Sequence, residues 1–209
     1  MRQPLNRRNS TRPRKSSTLL PALALVAHCL LAKATLALRW PWRVWRVCRL
    51  HLFSPLLYEE EDDLGDTAYD NAAKLLKLGT QVKTGVDASC LSKTIGQRRF
   101  RTIIFQFPNV ASREVLYAQN PNHVLVTRFL KSSRAHLKSG GLVVISTVDS
   151  PFYEGAFKMD DAAKKTGFAT PDIYTFNPKD YPAYSHQNTA DEESAINEHT
   201  AFATFVLSA

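Results

Sequence analysis

Residues 66–209 are predicted to form an α/β domain with a sheet covered on both faces, and three observations lead there. The runs 100–107, with Ile103-Ile104-Phe105, and 142–148 are apolar almost without interruption, as in strands buried on both sides. Between them, 122–137 is amphipathic, with Val126, Phe129, Leu130 and Leu137 on one side and Gly140-Gly141 beyond it. Helical and strand patterns alternate along the rest of the domain, which is the mark of strands joined by helical crossovers.

Taken in order, 69–78 reads as a short helix ended by Gly79, and 81–86 as a strand delivering Asp87. The strand at 100–107, the helix at 122–137 and the strand at 142–148 follow. A helix at 155–166 is stopped by Gly167, and 172–176 and 201–207 are the last two strands, paired after the last helix. Ahead of the domain, residues 1–58 hold eleven of the 27 Lys and Arg and no acidic residue, leaving 16 basic against 19 acidic beyond them. The net charge of +8 therefore belongs to the leader, and tight nucleic-acid binding by the domain through phosphate neutralisation alone is not expected. Residues 59–65 read as a solvated acidic linker, from Glu59-Glu60-Glu61-Asp62-Asp63.

Within the leader, 2–17 is predicted to be disordered. The apolar run 18–38 is long enough to span a membrane, but Pro21, His28 and Lys33 interrupt it. A Lys inside a span costs about 2.5–3.5 kcal/mol, so membrane contact by 18–38 is not the favoured reading. An acid-free, Arg- and Ser-rich start suits organelle import, and Ala32-Lys33-Ala34 mimics a secretory cleavage site. The favoured reading is a segment foreign to the domain, produced by a misassigned gene start or a retained intron. Trp40, Trp42 and Trp45 stand among arginines, a pairing suited to a membrane interface or to stacking on single-stranded bases. They are read here as more of the leader. Cys29, Cys48 and Cys90 form no pair at zinc or redox spacing, so no metal is expected and a reducing compartment is.

In an open parallel sheet, ligands bind beyond the carboxyl ends of the strands. Those ends carry Asp87-Ala88, Gln106-Phe107-Pro108-Asn109 and Asp149-Ser150-Pro151. Each also has a plainer use: Asp87 as a turn cap, Pro108-Asn109 as a bend, and Asp149 as an ordinary strand exit.

Several motifs occur together in order: Gly85-Val86-Asp87-Ala88 with Leu91, Ile103-Ile104-Phe105-Gln106-Phe107-Pro108-Asn109, Gly141 before Ser146-Thr147, and Tyr181-Pro182-Ala183-Tyr184-Ser185-His186. With Thr67-Ala68-Tyr69-Asp70, this series resembles the Rossmann-like domain of 25S rRNA (uridine-N3)-methyltransferases over about 67–209. The resemblance implies an S-adenosyl-L-methionine methyltransferase acting on large-subunit ribosomal RNA, as a monomer, in the cytoplasm or nucleolus. It implies that Asp87, with Ala88 beside it, accepts from the adenine amine of the cofactor. Gln106, Phe107, Pro108 and Asn109 would meet the target base, Phe107-Pro108 stacking on a flipped uracil and the amides bonding its edge. Asp149 and His186 are the candidates for removing the proton from uracil N3.

Two departures from the family pattern stand out. Gln106 and Asn109 replace an Asn and a His. The opening strand, the Gly-rich acidic loop that cradles the methionine end, and the second strand have no counterpart by sequence. The fold is thus expected to lack its first strands, unless 44–53 fills the slot beside 100–107. Truncation before Gly65 is expected to leave solubility unchanged or improved, and cofactor binding is expected to be weak or absent. A catalytically silent RNA- or protein-interaction remnant of such a domain is the alternative reading.

Overall fold

In the computed structural model, residues 29–32, 54–110, 112, 114–180 and 199–209 are described. The two buried runs become β3 (Phe100–Gln106) and β4 (Leu137–Val148), adjacent and parallel, with Ile103 opposite Val143 and Phe105 opposite Ile145. Ile103, Val143 and Ile145 are wholly buried. The helix between them is α3 (Pro121–Ala135), started by the Asn120 side chain accepting from Asn122 N at 2.9 Å and by proline in its first turn. Val126, Phe129 and Leu130 seal it on the sheet, with the Phe129 ring 4.5 Å from that of Phe105.

The strand β4 starts earlier than its apolar run, at Leu137, which the helical periodicity had claimed for α3. Between the pairs Phe100–Leu137 and Thr102–Leu142 the register shifts, and the extra β4 residues form a bulge through Gly140 and Gly141. Gly140 has φ 67°. A Cβ on Gly141 would lie 2.9 Å from the Lys138 carbonyl oxygen and 3.0 Å from that of Arg101, both backbone atoms. Gly141→Ala should therefore lower stability by about 1–3 kcal/mol, the usual range for overpacking, read as a lower thermal midpoint. An unchanged midpoint would show that the bulge opens freely.

Instead of one helix at 155–166 there are two, α4 (Pro151–Phe157) and α5 (Met159–Thr166). Ser150 caps α4 from the strand exit, Oγ accepting from Tyr153 N at 3.4 Å, so the helix begins earlier than expected. Lys158 sits in the left-handed region at φ 45°, and the break lets both Phe157 and Met159 face the core. His123 of α3 repairs one opened group: its Nδ1 donates to the Phe157 carbonyl at 2.8 Å. Its Nε2 faces Lys165 Nζ at 3.3 Å and Asp161 Oδ2 at 3.2 Å. The Asp161 carboxyl is held below its ordinary value, first by the hydrogen bond from Lys165.

The final strands are β5 (Asp172–Phe176) and β6 (Phe202–Ser208). β6 lies antiparallel between β4 and β5. The sheet is mixed, parallel in β3 and β4 and antiparallel at this edge.

At the other edge, two short strands occupy the places for which the sequence offers no family-like counterpart. Cys29–Ala32 (β1) pairs parallel to β3, Leu30 opposite Ile103 and Ala32 opposite Phe105. Ser54–Leu56 (β2) pairs parallel to β1 on its far side. The sheet order among the described residues is β2-β1-β3-β4-β6-β5. Two expectations change accordingly. The sheet takes in residues assigned to the leader, because Leu56 and Leu57 are 1% and 0% exposed in the core. The open edge of β3 is covered by part of the apolar run 18–38, in extended rather than helical form, while 44–53 lies outside the described residues, as does 1–17.

The predicted strand 81–86 also shrinks to a single parallel bridge, Lys83 to Leu56, with Gly85 at φ 64° just beyond. It remains laced to the β2 exit through Leu57 N to Lys83 O (2.9 Å), Gly85 N to Glu59 O (3.0 Å) and Val86 N to Leu57 O (2.8 Å). The helix α1 (Asp66–Lys77) packs Ala72 and Leu75 over Leu57. Gly79 ends it at φ 81°, with Thr80 N bonding back to Leu75 O. A single turn, α2 (Ser92–Ile95), then buries Ile95 in the main core ahead of β3.

Candidate active site

Three segments leave the sheet at its carboxyl edge, and each is held there by backbone bonds. The β3 exit is the most constrained. Gln106 is half-buried and opposite Ser146, and Phe107 N donates to Ser146 O at 2.8 Å. Phe107 itself has φ 45°, a left-handed conformation that an aromatic residue rarely adopts. Pro108 is buried and Asn109 is exposed. Val110 N then donates to Asn122 Oδ1 at 2.7 Å, and Asn122 is 1% exposed in the first turn of α3. The Gln106–Asn109 turn is therefore tied at both ends, and Asn109 is the residue it presents to solvent. Asn122 is a positioning residue that sequence reasoning missed, because an Asn following Pro at a helix start reads only as a cap.

One sequence-based role changes at this turn. The Phe107 ring lies edge-on to those of Phe176 and Phe202, each 5.7 Å away, so tertiary packing against β5 and β6 engages it. Stacking on a base is left to whatever face this cluster leaves open. The β4 exit places Asp149 three residues beyond Ser146, half-buried, with its N–H on Ala201 O at 2.9 Å. Asn109 and Asp149 each follow the paired residues Gln106 and Ser146 by three positions, on one edge of the sheet.

Asp87 leaves the edge segment 83–86. It is exposed, and its Oδ1 accepts from Ser89 N at 2.8 Å, capping the short turn Ala88–Cys90. That cap uses one carboxylate oxygen and leaves Oδ2 for a ligand. Ala88 is 7% exposed with its methyl in the main core, so only its backbone can face a cofactor. His186 and the motif 181–186 lie outside the described residues.

The linker reading of 59–65 also needs correction at its first residue. Glu60 to Asp63 are exposed, but Glu59 is half-buried at the β2 exit, and its Oε2 is buried without a hydrogen-bond partner among the described residues. Leaving a buried polar atom unpaired costs about 1–3 kcal/mol, and more when the group is charged, so this oxygen marks a place for a donor. An acidic side chain just beyond a parallel strand is where a nucleoside ribose is held in open α/β sheets. Glu59 and Asp87 flank the interlaced backbone of 57–59 and 83–86. For the amino-acid end of a nucleoside cofactor the sequence offers no glycine turn ahead of the first of these segments: the first glycine of the chain is Gly65. Glu59 was hidden in the sequence by the four acidic residues that follow it.

A β2-β1-β3-β4-β6-β5 sheet with an antiparallel finishing pair defines the Rossmann-like class of S-adenosylmethionine methyltransferases. The family model described as rRNA (uridine-N3-)-methyltransferase BTM5-like matches residues 56–188, and the chain belongs to that family. Its cofactor is accordingly S-adenosylmethionine. Among solved structures, the chain is similar to the 1,6-didemethyltoxoflavin-N1-methyltransferase of Burkholderia thailandensis. The TM-score is 0.51 at 13% identity, covering 92% of this chain and 75% of that one. It is similar also to the N-methyltransferase NodS of Bradyrhizobium japonicum WM9, with TM-score 0.50 at 12% identity, covering 91% and 90%. At these identities the likeness is one of fold. No curated protein matches.

Proposed function

We propose that this chain is an S-adenosylmethionine-dependent methyltransferase for uridine N3 in large-subunit ribosomal RNA, working as a monomer. The observation that carries the reading is the Gln106–Asn109 turn, left-handed at Phe107 and tied at both ends, which presents amides at the carboxyl edge. Such a backbone persists only where its surroundings hold it, and it aims side chains that an ordinary strand exit would not. Gln106 and Asn109 carry both donor and acceptor groups, as the N3–H and carbonyl edge of uracil requires. Asp149, on the neighbouring exit, accepts the N3 proton. Glu59 takes the ribose hydroxyls and Asp87 Oδ2 the adenine amine. Bound S-adenosylmethionine supplies the methyl group on its sulfonium. The chain's own residues position the two partners, which is where most of the acceleration of an in-line displacement arises. On this reading the site of action is where the large subunit is assembled or used, the nucleolus or cytoplasm.

The test is methyl transfer from labelled S-adenosylmethionine, at saturating concentration, to ribosomal RNA, with nucleoside analysis for 3-methyluridine. Asp87→Ala should raise the KM for the cofactor with turnover little changed, and Asn109→Ala should lower turnover roughly 100-fold or more, as lost positioning does. If both variants match the wild type, these residues leave the mechanism. The glycine-free stretch before Gly65 favours a second reading, a silent interaction remnant. Absence of any methylated product at saturating cofactor, with RNA still bound, would decide for it.

A further inference from the structure

The segment between the Gln106–Asn109 turn and α3 carries a feature that methyl transfer does not use. At residues 116–119 the chain makes a tight two-residue turn. Leu116 N bonds Gln119 O at 2.9 Å and Gln119 N bonds Leu116 O at 3.0 Å, with Tyr117 and Ala118 at φ 53° and 57°. Two adjacent non-glycine residues in the left-handed region are strained, and the geometry pushes Tyr117 outward at 71% exposure. Behind the ring stands Arg128 of α3, its guanidinium carbon 5.5 Å from the ring centroid and Nη2 donating to the Tyr117 hydroxyl at 3.4 Å. Tyr117 and Arg128 enclose, with Gln119, Val124 and Thr127, an open recess of about 190 Å³. Thr127 Oγ1, on its lining, is buried without a hydrogen-bond partner among the described residues.

We infer that this recess binds a nucleotide of single-stranded RNA next to the methylated base. The inference rests on the RNA-directed reading above and names a second contact of the same substrate. The chemistry converges on a nucleotide. Tyr117 offers a stacking face, Arg128 a fixed cation that can meet a phosphate or a base plane, Gln119 and Thr127 hydrogen bonds, and Val124 an apolar wall. An apolar protein surface would use exposed Val115, Leu116 and Tyr117, but would press the exposed Arg128 guanidinium against apolar groups. The turn lies on the chain segment that leaves β3 through Asn109 and leads into α3 at Asn120.

The experiment is fluorescence anisotropy of the full 209-residue chain with a labelled single-stranded oligouridine, at low and at high salt. Any phosphate contact through the basic leader would weaken with salt, whereas a stacking contribution would persist. Tyr117→Ala should weaken binding between about fivefold and a hundredfold, the span measured for stacked bases, by a factor that persists at high salt. Tyr117→Phe should stay near wild type, and Arg128→Glu should weaken binding as Tyr117→Ala does. A fully paired duplex of the same length should bind alike to wild type and Tyr117→Ala. Wild-type binding that Tyr117→Ala leaves intact overturns the recess alone, while a wild type that binds no RNA overturns the RNA-directed reading with it. Loss of self-association in Tyr117→Ala, with RNA binding intact, would assign the patch to protein contact instead.

Discussion

Removing residues 1–64 should cost the domain its fold, the reverse of what the charge and composition of the leader suggest. Leu56 and Leu57 are 1% and 0% exposed, and burying two leucines contributes about 3–6 kcal/mol, at roughly 1.5–3 each. The same cut removes β1, and with it the parallel pairing along β3 from Thr102 to Phe105. It also strips the backbone partners of Lys83, Gly85 and Val86, three residues that hold the Asp87 segment in place. Set against a typical total stability of about 5–15 kcal/mol, these losses leave little. The exposed edge of β3 would then be apolar and unpaired, an aggregation template. The measurement is thermal unfolding with light scattering, comparing 65–209 with the full chain. The truncated form should be aggregated or without a cooperative transition. A soluble 65–209 with the full chain's midpoint would show that β1 and β2 add nothing. A chain beginning at Phe53 separates part of the contributions, since it keeps Leu56 and Leu57 but removes β1, the strand that β2 pairs with.

What could be read from the sequence was whatever depends on a single element. β3 and β4 announce themselves because strands buried on both faces need unbroken apolar residues, and β5 runs over the residues predicted for it. What could not be read depends on neighbours. Lys158 breaks the expected helix in a left-handed conformation that glycine would normally flag, and His123, far earlier in the chain, is what accepts the break by bonding Phe157 O. Leu137 fits the helical period of α3, yet it opens β4 because the Gly140–Gly141 bulge lets the strand begin early. β1 lies in a run whose hydrophobicity is equally at home in a leader, so composition alone could not place it. At the site, the strand exits were legible from polar residues following apolar runs. The Phe107 ring was not, because its packing on Phe176 and Phe202 joins residues that β-sheet pairing alone brings together. Glu59 needed the observation that one oxygen is buried while its acidic neighbours stay in water.

The purified chain should bind S-adenosylmethionine weakly, with a Kd of about 1 mM, or roughly −4 kcal/mol, rather than micromolar. In the proposed site the adenosine end would meet Glu59 Oε2 and Asp87 Oδ2 on adjacent segments. The amino-acid end needs backbone N–H groups from a turn whose side chains do not obstruct approach, which is what glycines at a loop-to-helix entry supply. Between β1 and β2, the stretch 33–53 contains no glycine and five arginines or lysines, Lys33, Arg39, Arg43, Arg46 and Arg49. Affinity is the surplus over a fixed cost of immobilising the ligand, so losing one end of the molecule removes more than half of what is measured. Calorimetric titration with S-adenosylmethionine and with adenosine alone separates the two ends. The two ligands should bind within a few-fold of one another, and Glu59→Gln should weaken both together, because it removes the charge and one of the two acceptor oxygens of the carboxylate that they share. Micromolar binding of S-adenosylmethionine, with adenosine far weaker, would sink the argument. It would show that the glycine-free stretch builds a methionine cradle from other backbone, with its arginines on the carboxylate.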